Sequence, residues 1–410
     1  MNEQTFVIIG AGLAGANAAA QLRKDGFEGR IVLVGEEPDR PYERPPLSKD
    51  YLRGTTERAK LDVHGPEFYT DGAIGLRLST RATAIEPASR EVVLEDGQRL
   101  RYDRLLLATG ASPRRLEIPG ADLAGVHYLR TVADADAIRE AATTAGRATV
   151  IGGGWISTEV AASLRELGLA VAMIAPGPVP LERVLGTEVG TVYRDLHAEH
   201  GVELVMGQRV AALRGRTAVA AVETADGTRI DADLVVVGIS AVPRTELAAA
   251  AGLNVGGGVL VDERLESNVP GIFAAGDVAA AWHPLFGARI RVEHWDNARR
   301  QGRAAARNML GHAEPYLRVP YFYSDQYDLA MEYSGYAPAW DRVVFRGDPA
   351  SREFLAFWLQ DGRVLAGMSA NIHKMNSAIS ALVASRRRVA VDRLVDPAIP
   401  LDDLEALLLA

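Results

Sequence analysis

The sequence of 410 residues contains no cysteine. This absence excludes structural disulfides, thiol nucleophiles, redox-active CxxC pairs, and zinc or iron–sulfur centres with cysteine ligands. A redox protein of this composition would therefore hold its electrons on a bound organic cofactor. The sequence also lacks any run of about 20 uninterrupted apolar residues, which a membrane-spanning helix needs.

An excess of positive charge is absent as well. The formal net charge of −8 argues against a protein that binds nucleic acid by neutralising phosphates. The first apolar stretch, Phe6 to Ala20, resembles a secretory leader only superficially. Glu3 stands where such a leader carries positive charge, and three glycines interrupt the apolar run. We therefore expect a cytoplasmic protein.

Two glycine-rich turns of the same design are present, IGAGLAGANAAAQ from Ile9 and IGGGWISTEVAAS from Ile151. Each follows a short apolar run, Phe6 to Ile9 or Ala148 to Ile151, which predicts a buried parallel strand, and each leads into a helix-forming stretch. In such a unit the first glycine permits a tight turn and the second lets backbone N–H groups approach a pyrophosphate. The third lets helix and strand pack closely. The chain thus predicts two dinucleotide-binding units.

The first unit fits this pattern at every position. The residues of its turn that we expect to contact a dinucleotide are Gly10, Gly12, Leu13, Ala14 and Gly15. After the next predicted strand, Glu36 and Glu37 are placed to accept hydrogen bonds from a ribose diol. An incidental glycine-rich turn is the alternative, but the order of strand, turn, helix, strand and acid favours a dinucleotide site.

The second unit is less regular. Gly152 and Gly154 are present, but Ser157 takes the place of the third glycine, where its side chain would slightly separate helix from strand. The second strand of this unit, predicted near Val171 to Ile174, is followed by no acidic or basic residue before Glu182. Neither the usual NAD anchor nor the usual NADP anchor is visible, so the coenzyme preference stays open.

Further motifs carry a resemblance to a known family. The runs YDRLLLATG, Tyr102 to Gly110, and VPGIFAAGD, Val269 to Asp277, resemble those of flavoprotein pyridine-nucleotide reductases. The stretch PYERPPLSK, Pro41 to Lys49, resembles the signature of the ferredoxin reductases that serve bacterial P450 and Rieske oxygenase systems, the putidaredoxin reductase type. These proteins belong to the pyridine nucleotide-disulfide oxidoreductase superfamily but lack its redox disulfide. The resemblance runs nearly the full length, through LRT, GGGWI, VGISAVPRTELA, VEHWDNA and VPYFYSDQYD.

The resemblance implies FAD and NADH or NADPH as cofactors. The FAD contacts that it implies beyond the first turn are Glu36, Arg44, Lys49, Ala82, Thr109, Gly110, Arg130, Asp277, Trp295 and Tyr323. The residues of the second unit that we expect to contact NAD(P)H are Gly152, Gly154, Ile156, Ser157 and Gly238. Departures from the family pattern are Ser157 in place of glycine, Ala175 where NADH-dependent members carry glutamate, and Tyr323 where many place a tryptophan near the flavin.

Lys49 and Glu159 are the candidate catalytic residues. Glu159 matches the family's glutamate beside the nicotinamide. A cation near the isoalloxazine favours the anionic reduced flavin, and Lys49 is the candidate for this cation. We expect Lys49 to pair with Glu159 when no nicotinamide is bound; the alternative is that both are separate, solvated charges.

The implied activity is that of an FAD-dependent NAD(P)H:ferredoxin reductase. A hydride passes to flavin N5, and single electrons then pass to a [2Fe-2S] ferredoxin that feeds a P450 or Rieske oxygenase. Because such ferredoxins are mostly acidic, we expect a basic docking face. The first candidate is a predicted helix with Arg299, Arg300, Arg303 and Arg307, for which a merely solvated face is the alternative. A second candidate is Arg386 to Arg388.

Two other functions stay open. One is an NAD(P)H oxidase or quinone reductase, and the other is a redox-responsive interaction flavoprotein whose nicotinamide-driven conformational change controls partner binding. We predict no metal site. His197 and His200 have the spacing of a helical metal pair, but no third ligand is evident, and a surface position is the commoner one for such histidines.

The length of the chain predicts two or three domains. We predict an α/β protein with two Rossmann-like dinucleotide-binding domains of the glutathione-reductase type and a C-terminal α+β domain. The FAD-binding domain would be discontinuous, residues 1–111 and 238–313, because the Asp277 motif must return to the first turn. The NAD(P)H-binding domain would span residues 112–237 and the last domain 314–410. In the last domain, Asp361-Gly362 between strand-like runs predicts a hairpin.

Overall fold

The computed structural model describes residues 4–409. Glu3, whose negative charge is untypical of a secretory leader, lies outside the described residues. The outer ends of the first and last predicted domains lie outside them as well. Among residues 4–409, none of the helices combines the length and the apolar character needed to cross a lipid bilayer.

The strands of the described residues, in chain order, are β1 (Thr5–Ile9), β2 (Arg30–Val34), β3 (Ile74–Arg77), β4 (Ala82–Glu86), β5 (Glu91–Leu94), β6 (Arg99–Arg101), β7 (Arg104–Leu107), β8 (Ala111–Pro113), β9 (Val126–Tyr128), β10 (Arg147–Ile151), β11 (Ala170–Ala175), β12 (Val202–Met206), β13 (Val210–Gly215), β14 (Val219–Thr224), β15 (Arg229–Asp231), β16 (Leu234–Val237), β17 (Ala241–Pro243), β18 (Val259–Val261), β19 (Ile272–Ala274), β20 (Ala279–His283), β21 (Ala288–Ile290), β22 (Tyr321–Gln326), β23 (Leu329–Gly335), β24 (Arg342–Asp348), β25 (Glu353–Gln360) and β26 (Arg363–Ala370).

The α-helices of the same residues are α1 (Leu13–Lys24), α2 (Pro66–Asp71), α3 (Val132–Ala142), α4 (Trp155–Glu166), α5 (Glu182–Glu199), α6 (Glu246–Ala250), α7 (Trp295–Met309), α8 (Asn376–Ser385), α9 (Val391–Val395) and α10 (Leu404–Leu407). Short 3-10 helices cover Pro45–Ser48, Arg58–Leu61, Gly276–Val278 and Pro349–Ser351.

The chain divides into two units. The first unit comprises Met1–Glu43, Arg58–Ser112 and Ala241–Pro320. The second comprises Arg44–Glu57, Pro113–Ser240 and Tyr321–Ala410. The four domain ranges predicted from the sequence stay a prediction.

A parallel sheet of order β19-β7-β1-β2-β3 forms the centre of the first unit. Val7 in β1 lies opposite Val32 on one side and Leu105 on the other, and all three side chains are buried. Burial on both faces of the sheet accounts for the continuous apolar runs in the sequence. Because β19 is part of this sheet, the motif that ends at Asp277 does return to the first glycine turn, as the sequence predicts.

The second unit repeats this design in a parallel sheet of order β12-β11-β10-β16-β9. It also contains an antiparallel sheet of order β22-β23-β26-β25-β24. Trp358 joins the two parts of this unit, since it is fully buried and its indole N–H donates to the carbonyl oxygen of Leu185 in α5 at 3.0 Å. Two parallel sheets and a C-terminal antiparallel sheet with helices confirm the predicted fold class.

The predicted hairpin in the C-terminal part is confirmed. β25 and β26 pair in antiparallel fashion, with Gln360 opposite Arg363. The two residues between them, Asp361 and Gly362, have φ values of +51° and +75°. Positive φ at both central residues is typical of the tight turn that matches the twist of the flanking strands, which explains the Asp-Gly sequence.

Candidate functional site

The first glycine turn places two chain segments against each other. Gly10 has φ +115°, and a Cβ atom there would lie 2.1 Å from the carbonyl oxygen of Ala108. Any side chain at this position would therefore collide with the backbone that follows β7. That backbone continues into Thr109 and Gly110, so these two predicted contacts lie beside the first turn.

The start of α1 is open to an anion. A Cβ atom at Gly12 would have no neighbour within 4 Å, and among the described residues no side chain caps this helix. The backbone N–H groups of the first helical turn, which includes Leu13 and Ala14, are thus available to an anionic ligand. A Cβ atom at Gly15 would lie 2.1 Å from the carbonyl oxygen of Gly10, so the helix approaches the turn as closely as the sequence predicts. This cradle fits a pyrophosphate.

Glu36 lies beside the first glycine turn, just after β2. The preceding Gly35 packs on the turn, because a Cβ atom there would lie 2.5 Å from the Cβ of Ala11. The Glu36 carboxylate accepts a hydrogen bond from the guanidinium of Arg244 at 2.5 Å. Arg244 is tied to the same end of the sheet, since its carbonyl oxygen accepts a hydrogen bond from the Thr109 hydroxyl at 2.9 Å. The sequence did not single out Arg244.

Asp277 lies close to the first helical turn of α1. It is 9% exposed and sits in the 3-10 helix that follows β19. A Cβ atom at the neighbouring Gly276 would lie 3.2 Å from the Cβ of Ala14, and the Gly276 N–H donates to Gln301 at 2.9 Å. An open helix N-terminus between two acids, Glu36 and Asp277, fits FAD, whose pyrophosphate is anionic and whose sugar and ribityl groups carry hydroxyls.

Two other predicted FAD contacts of the first unit lie on different elements. Trp295 begins α7, and its indole N–H donates to the carboxylate of Glu43. The guanidinium of Arg299 lies 4.3 Å from the Trp295 ring centroid. Burial raises the pKa of Glu43, while the Trp295 hydrogen bond and the charge of Arg299 oppose that rise. Ala82 begins β4 in the separate sheet of order β4-β5-β6.

The second glycine turn repeats the geometry of the first. Gly152 has φ +122°, and a Cβ atom there would lie 2.2 Å from the carbonyl oxygen of Gly238, directly after β16. A Cβ atom at Gly154 would have no neighbour within 4 Å, and Ile156 in the first turn of α4 is 44% exposed. Ser157 is buried, and its hydroxyl donates to the Gly238 carbonyl oxygen at 3.0 Å. The serine therefore ties α4 to the end of β16, a contact that the sequence did not predict.

Lys49 and Glu159 form an ion pair in the second unit. The Nζ to Oε2 distance is 2.8 Å, and the side chains are 11% and 6% exposed. The hydroxyl of Ser48 donates to the same Oε2 at 2.5 Å, and that of Ser324 donates to Oε1 at 2.7 Å. Both carboxylate oxygens of Glu159 are therefore fixed. The two residues are not separate solvated charges; their catalytic role stays a prediction.

A buried chain of polar contacts leads away from Glu159. The Gln326 amide donates to the hydroxyls of Ser324 and Thr158 at 3.1 and 2.9 Å. The carbonyl oxygen of that amide lies 3.0 Å from Nε2 of His197. Burial lowers the pKa of His197 to about 4, so the ring is neutral near pH 7 and its Nε2–H can donate. The interpretation of His197 as a surface residue was wrong, because its side chain is fully buried.

The remaining predicted FAD contacts also belong to the second unit. The Lys49 ammonium lies 5.9 Å from the ring centroid of Tyr323. The guanidinium of Arg44 donates to the carbonyl oxygen of Arg130 at 2.5 Å. The structure thus brings Lys49, Glu159 and Tyr323 into one cluster and joins Arg44 to Arg130.

The four arginines predicted for docking all lie on α7, and each has a polar partner. Arg299 and Arg300 bind the buried Asp296 at 3.0 and 2.7 Å. Arg303 donates a hydrogen bond to Asn17 at 3.0 Å. Arg307 lies 3.6 Å from both Asp25 and Glu314. Burial, and then the charges of the first two arginines, lower the pKa of Arg303. The face is therefore crowded with positive charge that acidic neighbours partly offset.

Sequence reasoning missed the residues that hold Glu159. Ser48 lies inside the PPLSK motif, and its position beside Lys49 was the available signal. Ser324 and Gln326 alternate with other residues along β22, so they share one face of the strand, and both are 1% exposed. Two polar residues at alternate positions of a buried strand face indicate a hydrogen-bonded site rather than an apolar core.

Comparison with known proteins agrees with this geometry. Residues 4–302 match the pyridine nucleotide-disulphide oxidoreductase family, and residues 321–405 match the reductase C-terminal family. The chain is 40% identical over 403 residues to the 5,5'-dehydrodivanillate O-demethylase ferredoxin reductase subunit of Sphingobium sp., covering 98% of each chain. It is 39% identical over 402 residues to the anthranilate 1,2-dioxygenase system ferredoxin–NAD(+) reductase component of Burkholderia cepacia, covering 98% of this chain and 99% of that protein.

A solved structure gives the same result. A chain in the covalent putidaredoxin reductase–putidaredoxin complex is 37% identical to this protein, with a TM-score of 0.95 and coverage of 99% of this chain and 98% of the other. The resemblance inferred from the motifs is confirmed over almost the whole length. The protein belongs to the pyridine nucleotide-disulphide oxidoreductase family.

Proposed function

We propose that this protein is an FAD-dependent NAD(P)H:ferredoxin oxidoreductase that supplies electrons to a P450 or Rieske oxygenase. The observation that carries the proposal is its similarity, over 98% of the chain, to proteins named as ferredoxin reductase components of oxygenase systems. The chain has no cysteine, so a redox disulfide, which other members of the family use, is excluded.

The first glycine turn is the proposed FAD site. Its open helix N-terminus supplies N–H donors for the pyrophosphate, Glu36 accepts from the ribose, and Asp277 accepts from the ribityl chain. When bound, FAD would take up two electrons as a hydride and release them one at a time, which no side chain of this protein can do.

The second turn, Gly152 to Gly154, is the proposed NAD(P)H site. The role of Glu159 is to hold the Lys49 ammonium in one place, and two serine hydroxyls fix the carboxylate that does so. A cation held in a buried site stabilises negative charge that develops nearby much better than a solvated cation does. Lys49 and Glu159 are therefore the proposed catalytic pair.

The proposed ferredoxin-docking face is formed by the four arginines of α7. Arg307 is the most accessible of the three whose ion pairs are described, with 46% of its side chain exposed, followed by Arg300 at 33%. An acidic ferredoxin would exchange the weak internal ion pairs of this face for new ones, and its association would slow as salt concentration rises.

Electron transfer to cytochrome c tests the proposed function. The purified protein would be mixed with NADH or NADPH and cytochrome c, with and without a bacterial [2Fe-2S] ferredoxin. We expect rapid cytochrome c reduction only when ferredoxin is present. Turnover on oxygen or quinones without ferredoxin would instead favour an oxidase or quinone reductase. Very slow hydride transfer together with a changed oligomeric state would favour a redox-responsive interaction protein.

Charge removal tests the docking face. The double variant Arg300→Ala/Arg307→Ala should raise the KM for ferredoxin several-fold and leave flavin reduction by NADH unchanged. Arg387→Ala, which removes a charge from the second candidate surface, is the matched control. Docking on α7 is refuted if the control variant, and not the double variant, weakens the response to ferredoxin.

A further inference from the structure

The end of β11 is where a dinucleotide-binding unit places the residue that reads the adenosine ribose. In this protein that position is Ala175, which is 3% exposed. A Cβ atom at Gly153, in the middle of the second glycine turn, would lie 3.0 Å from the Cβ of Ala175. The turn therefore covers the alanine methyl group. The position is apolar and closed, so the ribose must be read from elsewhere.

The segment after β11 folds back onto the glycine turn. The Leu181 N–H donates to the carbonyl oxygen of Gly153 at 2.7 Å, which fixes the end of the segment. Its beginning is fixed from the other side, because the carbonyl oxygens of Ala175 and Gly177 accept hydrogen bonds from Gln208 and Gly207 at 3.1 and 2.9 Å. As a result, α5 begins directly beside the second glycine turn.

The first residue of α5 is Glu182, and its carboxylate points back along this segment. A Cβ atom at Gly177 would lie 3.6 Å from Oε2 of Glu182, so the carboxylate lies over the second residue after β11. Within residues 4–409, the carboxylate of Glu182 has no hydrogen-bond or ion-pair partner. Its side chain is only partly exposed. A carboxylate without a partner is thus held over Gly177, two residues beyond the strand-end position, by a segment that is anchored at both ends.

We propose that Glu182 replaces the missing strand-end acid and makes the protein selective for NADH. Its carboxylate accepts hydrogen bonds from the 2′ and 3′ hydroxyls of the adenosine ribose, and such charge-assisted bonds are stronger than neutral ones. The same charge repels the 2′-phosphate of NADPH. This inference rests on the proposed function, because it takes the second glycine turn to be the coenzyme site.

The neighbouring Arg183 favours the opposite selectivity. Its side chain is exposed, and an arginine near the strand end is the usual partner of a 2′-phosphate. The two residues therefore predict opposite coenzymes, and variants of each separate the two possibilities.

Equilibrium binding of the oxidised coenzymes tests the proposal without using activity. The FAD-loaded protein would be titrated with NAD⁺ and NADP⁺ by isothermal calorimetry. Wild type should bind NAD⁺ at least about tenfold more tightly than NADP⁺. Glu182→Gln and Glu182→Ala should each weaken NAD⁺ binding about tenfold and leave NADP⁺ binding unchanged or stronger. Glu188→Gln, which removes an exposed acid from the same helix, is the matched control and should match wild type.

Two results would overturn the assignment of Glu182. One is NAD⁺ binding by both Glu182 variants at wild-type affinity. The other is a preference of wild type for NADP⁺ that Arg183→Gln abolishes. A wild-type protein that binds neither coenzyme would overturn the proposed function together with this inference. Selective NAD⁺ binding without ferredoxin-dependent electron transfer would support the inference and overturn the proposed function alone.

Discussion

Replacing Glu159 by glutamine would remove the counterion of Lys49 and leave a side chain of nearly the same shape between two serines. At the observed separation of 2.8 Å, two unit charges attract by about 6 kcal/mol for an effective dielectric constant of about 20. Desolvation of two side chains that are 11% and 6% exposed offsets much of this attraction. We therefore expect a net coupling between Lys49 and Glu159 of about 2 kcal/mol.

A double-mutant cycle measures this coupling. Glu159→Gln alone should lower the free energy of unfolding by about 3 kcal/mol, because it leaves a buried ammonium group without a counterion. Lys49→Met/Glu159→Gln should cost less than the sum of the two single variants. All four proteins would be unfolded with denaturant at the same FAD saturation, since bound ligand stabilises the folded state.

The Arg53–Glu166 ion pair provides the control cycle. Its N to O distance is 2.7 Å, similar to that of the buried pair, but its side chains are 22% and 36% exposed. Its coupling should stay below about 1 kcal/mol. A Lys49–Glu159 coupling no larger than that of the exposed pair would refute the reasoning, because burial would then add nothing to the interaction.

Three further predictions follow from single positions. Ser324→Ala removes the hydrogen bond to one carboxylate oxygen of Glu159. Flavin reduction by NADH, measured by stopped flow, should become slower, and the affinity for NAD⁺ should stay the same. An unchanged rate of reduction would count against a positioning role of Ser324. Since the pKa of His197 is about 4 in the folded protein and the ordinary value is 6.5, the unfolded chain takes up the proton first as the pH falls. Stability should therefore fall between about pH 6.5 and pH 4, by about 3 kcal/mol in total, and His197→Gln should flatten this dependence in unfolding titrations. Gly10→Ala places a Cβ atom 2.1 Å from a carbonyl oxygen, so it should reduce the yield of folded, FAD-containing protein. Gly12→Ala should fold normally and lose only FAD affinity. The flavin absorbance of the purified proteins measures both effects.

The glycine turns and the strands beside them were readable from the sequence because their determinants are local. Gly10 and Gly152 have positive φ values and lie against a neighbouring backbone carbonyl, so a side chain does not fit at either position. The apolar runs before them are buried, as expected for strands inside a parallel sheet. The Asp361-Gly362 hairpin follows from turn chemistry in the same way. The Lys49–Glu159 ion pair was predicted only through the family resemblance, because 110 residues separate the two in sequence.

The other contacts of the site join residues that are far apart in sequence, so no local sequence pattern predicts them. Ser324 reaches Glu159 across a sequence separation of 165 residues, and helical spacing alone could not reveal that His197 faces inward. The ion pairs of Arg299 and Arg300 on α7, in contrast, had a local signal. Asp296 lies three and four positions before Arg299 and Arg300, the spacing at which charges on one helix pair.

Anaerobic rapid mixing tests the central claim most directly. Purified protein would be mixed first with one equivalent of NADH and then with two equivalents of a [2Fe-2S] ferredoxin, while flavin absorbance is followed. The account predicts a yellow protein whose colour is bleached by NADH and restored by ferredoxin. A colourless protein that takes up no FAD on reconstitution, or a bleached flavin that ferredoxin does not reoxidise, would contradict it.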